Sequence, residues 1–600
     1  MNRLSSISNF GLLSISSLGL LVALGACGSD KTTGTPAGGG AGPVAGAPGS
    51  SAGTPAIPGA GAPGSGAGAG NVPSAGASSG GAPGGDTAGT GTTAGAVGVA
   101  GGGTSVAGAA GAGAGAPGAA GAAGAAGGPA TVAEPELVTS GSGDYWKVGT
   151  LTKGGTTASV TVSSSSAKQA WDGFGGTFNE KGWQMLMALD AAKQSEVMKK
   201  LFDVKDGIGF TWGRIPIGPS DYAIERYNFQ DSATGTFSIA HDKTASATSK
   251  APIMPYVKAA MAVKADIKFW GSPWSPPPWA KTGPFSDTAG YDKGSATNTK
   301  ANLDAYATYL VNWIKAYEAE GIKLDFIVPQ NEPGWAQAYP SCAWGSYTDG
   351  STNHYGTAYL GDFVKNNLSP AMKTASLTTN IWWGTFSNDG AFPDYWANTP
   401  SDKTLVKGVA LQWATDVEVS KAVQAGFKVM QSEHKCGNYP WLTAKATSEA
   451  DANRDNFLAD HAPNNHAYGE ESWDLIKSWI DKGVNSYSAW NMVLDKGGFN
   501  LDKARPWPQN ALIVVDGTTV KYTAAYYVFR HVAQFVEPGA TVLSVTGGNA
   551  LAFKNPDGTV VTIMYNSGSA ASNTTVSIDG VMYQVSIPSH GWATVNKKGA

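Results

Sequence analysis

From Trp171 to about Phe535 the chain alternates between two kinds of pattern. Short apolar, aromatic-rich runs recur: "WDGFGGTF" from Trp171, "FTWGRIPIG" from Phe210, "IKFWGSPW" from Ile267 and "LDFIVPQNE" from Leu324. They continue as "NIWWGTF" from Asn380, "GVALQWA" from Gly408, "FKVMQSEH" from Phe427 and "NSYSAWNMV" from Asn485. Runs of this length, apolar on both faces, predict strands buried on both sides, as in a parallel sheet. Between them lie amphipathic segments such as "AAKQSEVMKKLFD", "IMPYVKAAMAVKA", "NLDAYATYLVNWIKAYEAEG" and "SWDLIKSWIDKG", and "TAAYYVFRHVAQF" follows the last run. These have the period of helices with one apolar face. Eight strands with regular crossover helices predict an α/β fold, a (β/α)8 barrel over residues 171–538. A doubly wound sheet would have fewer strands and a glycine-rich phosphate turn, and no GxGxxG opens a helix here.

The flanks of this body change character. "YWKVGTLTKGGTTASVTVSSSSAKQ" before it, and the stretch from Thr541 to Val595 after it, show short β-type alternation and no helical period. "NPDGT" is a hairpin turn between two alternating runs. Residues 134–170 and 539–600 are therefore expected to form one small β-sandwich built from both ends of the body.

Residues 1–27 read as an export signal: one Arg, a short apolar stretch and a small-residue end. Leu24-Gly25-Ala26-Cys27 resembles a bacterial lipobox, so Cys27 is expected to carry a lipid; the alternative is an ordinary signal peptide with an incidental Cys. Residues 28–133 are almost entirely Gly, Ala, Pro, Ser and Thr, with Asp30, Lys31 and Asp86 as the charges. Such a composition cannot bury a core, and its repeats lack collagen's three-residue period, so a disordered tether is expected.

Composition narrows the function. The formal net charge is −4 and no Lys/Arg cluster stands out, which argues against nucleic acid as a partner. The 20 Trp suit either large apolar cores or stacking on sugar rings. Beyond Cys27 the cysteines are Cys342 and Cys436, which form either a disulfide or two unpaired buried thiols. No Cys/His grouping has zinc-like spacing, so no metal site is expected.

In barrels of this kind the chemistry sits where the strands end, at the carboxyl face. The fourth run ends in Asn331-Glu332, the seventh in Ser432-Glu433, the second near Arg214 and Asp221, the third in Trp274, and the eighth carries Trp490 and Asn491. Strands four and seven stand on opposite sides of an eight-stranded barrel, so their carboxylates can face each other across the mouth. Glycoside hydrolysis needs such a pair, one to protonate the leaving oxygen and one to attack the anomeric carbon.

The stretches "DGFGGTFNE", "GRIPIGPSDY", "GSPWSPPPWAKT", "PQNEP", "SEHKCG", "YSAWNMVLDKGG" and "YYVFRHVAQFVEPGA" occur in order over the whole body. In them the chain resembles glycoside hydrolase family 30, the glucosylceramidase-like retaining β-glycosidases. The resemblance implies a (β/α)8 barrel with a β-sandwich from both chain ends. It implies Glu332 as general acid/base, Glu433 as nucleophile and Asn331 as the partner of the sugar 2-hydroxyl. Arg214 and Asp221 match residues that support the nucleophile and hold hydroxyls, and Trp274 and Trp490 match the aromatic walls of the sugar subsite. Core packing for the two Trp and a structural ion pair for Arg214 are the alternatives. The chain departs from the family after strand six, where a His-Trp-Tyr run is usual and Gln412, Trp413 and Ala414 stand. The missing Tyr normally touches the nucleophile; His434 either compensates or is a loop residue.

Together these readings describe an exported, lipid-anchored monomer at the outer membrane or cell surface, otherwise secreted. Its partner is a β-linked glycan or glycolipid, and no cofactor is called for. The rival of another class is a surface carbohydrate-binding lipoprotein that kept the fold and lost the chemistry.

Overall fold

The structure, a computed structural model, describes residues 134–598 apart from residues 298, 335, 345–357, 388–403, 414, 437–463 and 501–508. The export signal, Cys27, the tether and Ala414 lie outside the described residues.

All eight expected barrel strands form: β1 (Gly173–Thr177), β2 (Trp212–Pro216), β3 (Lys268–Ser272), β4 (Leu324–Ile327), β5 (Trp383–Phe386), β6 (Gly408–Gln412), β7 (Lys428–Glu433) and β8 (Ser486–Asn491). Except between β4 and β5, each pairs in parallel with its sequence neighbours, and β8 pairs with β1. The fifth run is divided. Asn380–Ile381 pairs with β4, while β5 proper pairs with β6, so the two pieces close the sheet around Trp382.

The lumen is filled by Trp212, Trp270, Phe326, Val328, Trp382, Ala410 and Met430, with Phe326 stacked between Trp270 and Trp382. It is a packed core rather than a pore. Rings of this size need room elsewhere, which explains the glycines of β1. A Cβ on Gly175 would stand 2.6 Å from the carbonyl oxygen of Trp212.

The crossover helices follow the expected periods, at Ala191–Phe202, Ile253–Val263, Lys300–Ala319, His466–Lys482 and Ala524–Ala533. Lys300–Ala319 buries Tyr306, Tyr309, Leu310, Trp313, Ile314 and Tyr317, one stripe along its length. Among the described residues no helix is long and apolar enough to cross a membrane.

The second layer is a ten-stranded sheet system drawn from both chain ends. Leu137–Gly141 pairs with Gly591–Lys598, and Val160–Ala170 lies between Thr541–Thr546 and Ser572–Ile578. The NPDGT turn joins Ala550–Lys554 to Thr559–Asn566 in an antiparallel hairpin, with Gly558 at φ 87°. This layer has its own core around Val160, Val162, Leu543, Ala552 and Val576. His531, on the last barrel helix, is buried and bonds both Ser140 and Thr594 at 2.8 Å, joining barrel to sandwich. Burial pushes its imidazole down to about 3.

Of the two readings of the cysteines, the pair of unpaired buried thiols is the one the structure has. Cys342 and Cys436 are both free and buried. Cys342 sits in the loop beyond β4 with its thiol toward the Ala343 carbonyl, at 3.5 Å. Cys436 lies beyond β7, where its sulfur accepts from Asn491 Nδ2 at 3.7 Å. The two loops carry their thiols into different packing environments, and burial pushes both thiols up, Cys342 to about 12.

Candidate active site

Glu332 and Glu433 both leave the barrel at its carboxyl mouth, but their turns are built differently. Glu433 is the last residue of β7, and Gln412 on β6 is its register partner. Glu332 follows β4 in a tight Pro-flanked turn, with φ at 46°. A left-handed non-glycine costs about 1–3 kcal/mol and persists only where its surroundings hold it. Here the Glu332 amide donates to Thr385 O at 2.8 Å and the Asn331 amide to Pro273 O at 2.7 Å, anchoring the turn to the ends of strands on either side.

The two carboxylates have opposite surroundings. Glu433 is 5% exposed and accepts from Arg214 Nη1 and from Trp413 Nε1, the latter at 2.8 Å. Arg214, on β2, is fully buried. Its other terminal nitrogen donates to Ser272 Oγ at 3.1 Å and Asn331 Oδ1 at 2.6 Å, and its guanidinium lies 4.2 Å over the Trp274 ring. Glu332 is half-buried and, among the described residues, forms no ion pair; it accepts from Tyr339 OH at 2.8 Å and Gln412 Nε2 at 3.0 Å. Burial and the nearby charge of Glu433 push Glu332 up to about 7, against the pull of those hydrogen bonds. Adjacent side chains on one strand end, Gln412 and Trp413, thus hold one carboxylate each.

Asp221 lies in the loop after β2, 8% exposed, and one of its buried oxygens has no hydrogen-bond partner. Burial, then the charges of Glu433 and Glu332, raise it well above the usual carboxylate range. Asn331 has its amide orientation fixed: Oδ1 accepts from both Arg214 and Thr385 Oγ1, which leaves Nδ2 as the free-facing donor. Trp274 and Trp490 stack at 5.2 Å and are 2% and 1% exposed. They form the wall behind Arg214, so packing is a large part of what they do.

The structure also resolves the departure after β6. His434 is buried, but its ring bonds Tyr487 OH at 2.6 Å and Ser472 Oγ at 3.2 Å rather than Glu433. It therefore does not compensate for the absent Tyr; it is a loop residue just past β7, and a buried one. Trp413 supplies the donor to Glu433 instead, from a left-handed backbone at φ 55°. The sequence marked Gln412 and Ala414 as departures without showing that Gln412 and Trp413 are donors to the carboxylates, and it did not point to Tyr339; the signal for the last was a Tyr following the Glu332 turn within one short loop. Among the described residues no group of three or more His, Cys, Asp and Glu is placed to hold a metal ion.

A nearly closed parallel barrel with two carboxylates at its carboxyl mouth, one paired to a buried arginine and one pushed up toward neutral pH, defines a glycoside hydrolase. The chain belongs to glycosyl hydrolase family 30. Residues 171–536 match the family's TIM-barrel domain and residues 539–595 its beta sandwich domain. An endo-1,6-beta-D-glucanase of Trichoderma harzianum is 26% identical over 440 residues, which cover 68% of this chain and 80% of that protein. The lysosomal acid glucosylceramidase of Mus musculus is 22% identical over 458 residues, covering 70% and 80% respectively. Among solved structures, SrfJ from Salmonella typhimurium superposes with a TM-score of 0.63 at 19% identity, covering 77% of this chain and 99% of that one.

Proposed function

We propose that the enzyme hydrolyses β-glucosidic bonds with retention, by double displacement. The observation that carries this reading is the electrostatic contrast between Glu332 and Glu433. In the first step Glu433 attacks the anomeric carbon while Glu332 passes its proton to the glycosidic oxygen, so the bond to the aglycone breaks and a glycosyl ester forms. In the second, Glu332 takes a proton from water, water oxygen bonds the anomeric carbon, and the Glu433 ester opens. Arg214 and Trp413 hydrogen-bond Glu433 and aim it at the sugar; burial and the charge of Glu433 push Glu332 up to about 7, where it can still carry a proton. The free-facing Nδ2 of Asn331 fits a sugar 2-hydroxyl, and the unpartnered oxygen of Asp221 fits another hydroxyl. The Trp274–Trp490 wall backs the same subsite.

A glucosylceramide-like β-glucoside is the substrate class this reading favours, with β-1,6-glucan or xylan as alternatives; the glucosylceramidase and glucanase names of the relatives support a glucosyl unit. A binding protein without turnover would not need two opposed carboxyls held in such different surroundings, one on a buried arginine and one without an ion-pair partner among the described residues. Wild type should hydrolyse an aryl β-glucoside and Glu433→Gln should not; tight glycan binding with no turnover on any β-glycan would favour the binding protein. A panel of β-glucans, xylan and glucosylceramide separates the substrates.

The proposal extends to place. The Leu24-Gly25-Ala26-Cys27 sequence supports a lipid on Cys27, and Gly28 rather than Asp after it supports the outer membrane or cell surface. A coil of roughly 100 residues reaches about 55 Å, enough to work on a polymer or glycolipid too large to import. Fractionating cells with wild type and Cys27→Ala tests this: wild-type enzyme already free in the medium would contradict it.

A further inference from the structure

Lys281 begins a hairpin, Lys281–Phe285 with Lys293–Ala296, that follows β3. It is 5% exposed, and its ammonium donates to Ser275 Oγ at 2.8 Å, Tyr291 O at 2.6 Å and Ser341 O at 2.8 Å. All three protons are therefore used. Burial pulls the ammonium down to about 8, so it is charged at neutral pH; Cys342, Asp287 and Asp292 act on it only from a distance, and among the described residues no carboxylate forms an ion pair with it. A buried cation satisfied by two carbonyls and a hydroxyl is costly to build, and it fixes the geometry of whatever it binds.

Its three partners lie on segments that frame the mouth. Ser275 is next to Trp274, the ring under Arg214. Ser341 is two residues from Tyr339, which donates to Glu332, and Ser341 Oγ also clasps Gln337 through its amide at 2.8 Å and its carbonyl at 3.0 Å. Tyr291 is bonded by Asn228, and its neighbour Asp292 holds Arg226; both partners lie on the loop that carries Asp221. The hairpin is further tied to the loop after β4 through the bridges Asp292–Pro340 and Ser295–Ala343.

We propose that Lys281 is a positioning residue for the hydrolysis: it locks the Trp274 loop to the Tyr339 loop and so fixes the hydrogen bond that Tyr339 gives Glu332. This rests on the proposed roles of the two carboxylates. It has a consequence that a purely structural lysine would lack. The Tyr339 bond draws Glu332 downward from where burial alone would hold it. Loosening Tyr339 releases that pull, so the loss of activity on the alkaline side moves to higher pH.

The test is the pH profile of kcat/KM on an alkyl β-glucoside for wild type, Lys281→Met, Tyr339→Phe and the double variant. A hydrogen bond to a charged group is worth about 1.5–3 kcal/mol, and at a half-buried carboxyl the lower end applies, so each single variant should raise the alkaline limb by about one pH unit. The double variant should show no further shift, because Lys281 acts through Tyr339. KM should also rise in Lys281→Met as the Trp274 loop loses its tie. An unchanged limb in Lys281→Met, or shifts that add in the double variant, would overturn the proposal. Where Lys281→Met does not fold, Lys281→Gln, which keeps one donor pair, carries the same test with the same expected direction. Failure of the underlying reading is told apart at once: wild type would then turn over no β-glucoside, whereas failure of the Lys281 proposal leaves wild type active with an alkaline limb.

Discussion

Replacing Gln412 by Leu should make the enzyme more active at alkaline pH. Gln412 is fully buried; its Nε2 donates to Glu332 at 3.0 Å, while its own carbonyl oxygen has no partner. Leu keeps the volume and removes both the donor and the orphaned acceptor, so the fold should tolerate it. The lost hydrogen bond is one of those that draw Glu332 down, so its removal raises Glu332 from about 7. At the lower end of the range for bonds to charged groups, about 1.5 kcal/mol, the rise is about one unit, to about 8. The sign follows from the role: Glu332 must carry a proton in the first step, so activity falls as pH rises through its pKa. At pH 8 the protonated fraction would go from about one in eleven to about one in two, a gain of about fivefold in kcat/KM; at pH 7 the gain is under about twofold. The assay needs an alkyl aglycone, because a good leaving group departs without help from the acid. A limb that stays put or moves down would refute the assignment of Glu332 as the acid.

Other consequences follow from the same contacts. Arg214→Met leaves Glu433 buried without its cation, so chemical denaturation should show a loss of about 3–5 kcal/mol along with loss of activity; unchanged stability would mean that Glu433 does not depend on the pair. Reducing agent should leave the melting temperature unchanged, since Cys342 and Cys436 are free; a drop equivalent to about 2–4 kcal/mol would reveal a bond between them. His531 is held down to about 3 by burial, so its contribution is intact above about 6.5 and is lost as pH falls from there toward 3. In His531→Asn the acid-side slope of stability should flatten by up to about 1.4 kcal/mol per pH unit, and an unchanged slope would contradict a neutral buried His531.

The barrel was legible because its strands are buried on both faces and so read as unbroken apolar runs, while its helices keep the 3.6-residue period. The sandwich was legible from the NPDGT turn and from strict alternation in both flanks. The division of the fifth strand was not, since "NIWWGTF" shows no break in its apolar pattern; the break comes from pairing with β4 and β6 at different registers. Glu332, Glu433, Arg214 and Asp221 could be placed because strand ends converge in a barrel. The donors to the two carboxylates could not. Tyr339 reaches Glu332 only through the course of the loop after β4, and Trp413 reaches Glu433 only from a left-handed turn, neither of which spacing encodes. The cysteines stayed open between a disulfide and free thiols for a similar reason: side-chain direction, not loop order, decides whether two thiols meet.

Double displacement requires that Glu433 become bonded to the sugar. Incubation with an activated 2-deoxy-2-fluoro-β-glucoside slows the second step more than the first, so the glycosyl ester accumulates and can be mapped by peptide mass spectrometry. The label should fall on Glu433 in wild type and be absent from Glu433→Gln. A label on Glu332, or turnover that yields the inverted anomer with no labelled peptide, would contradict the account.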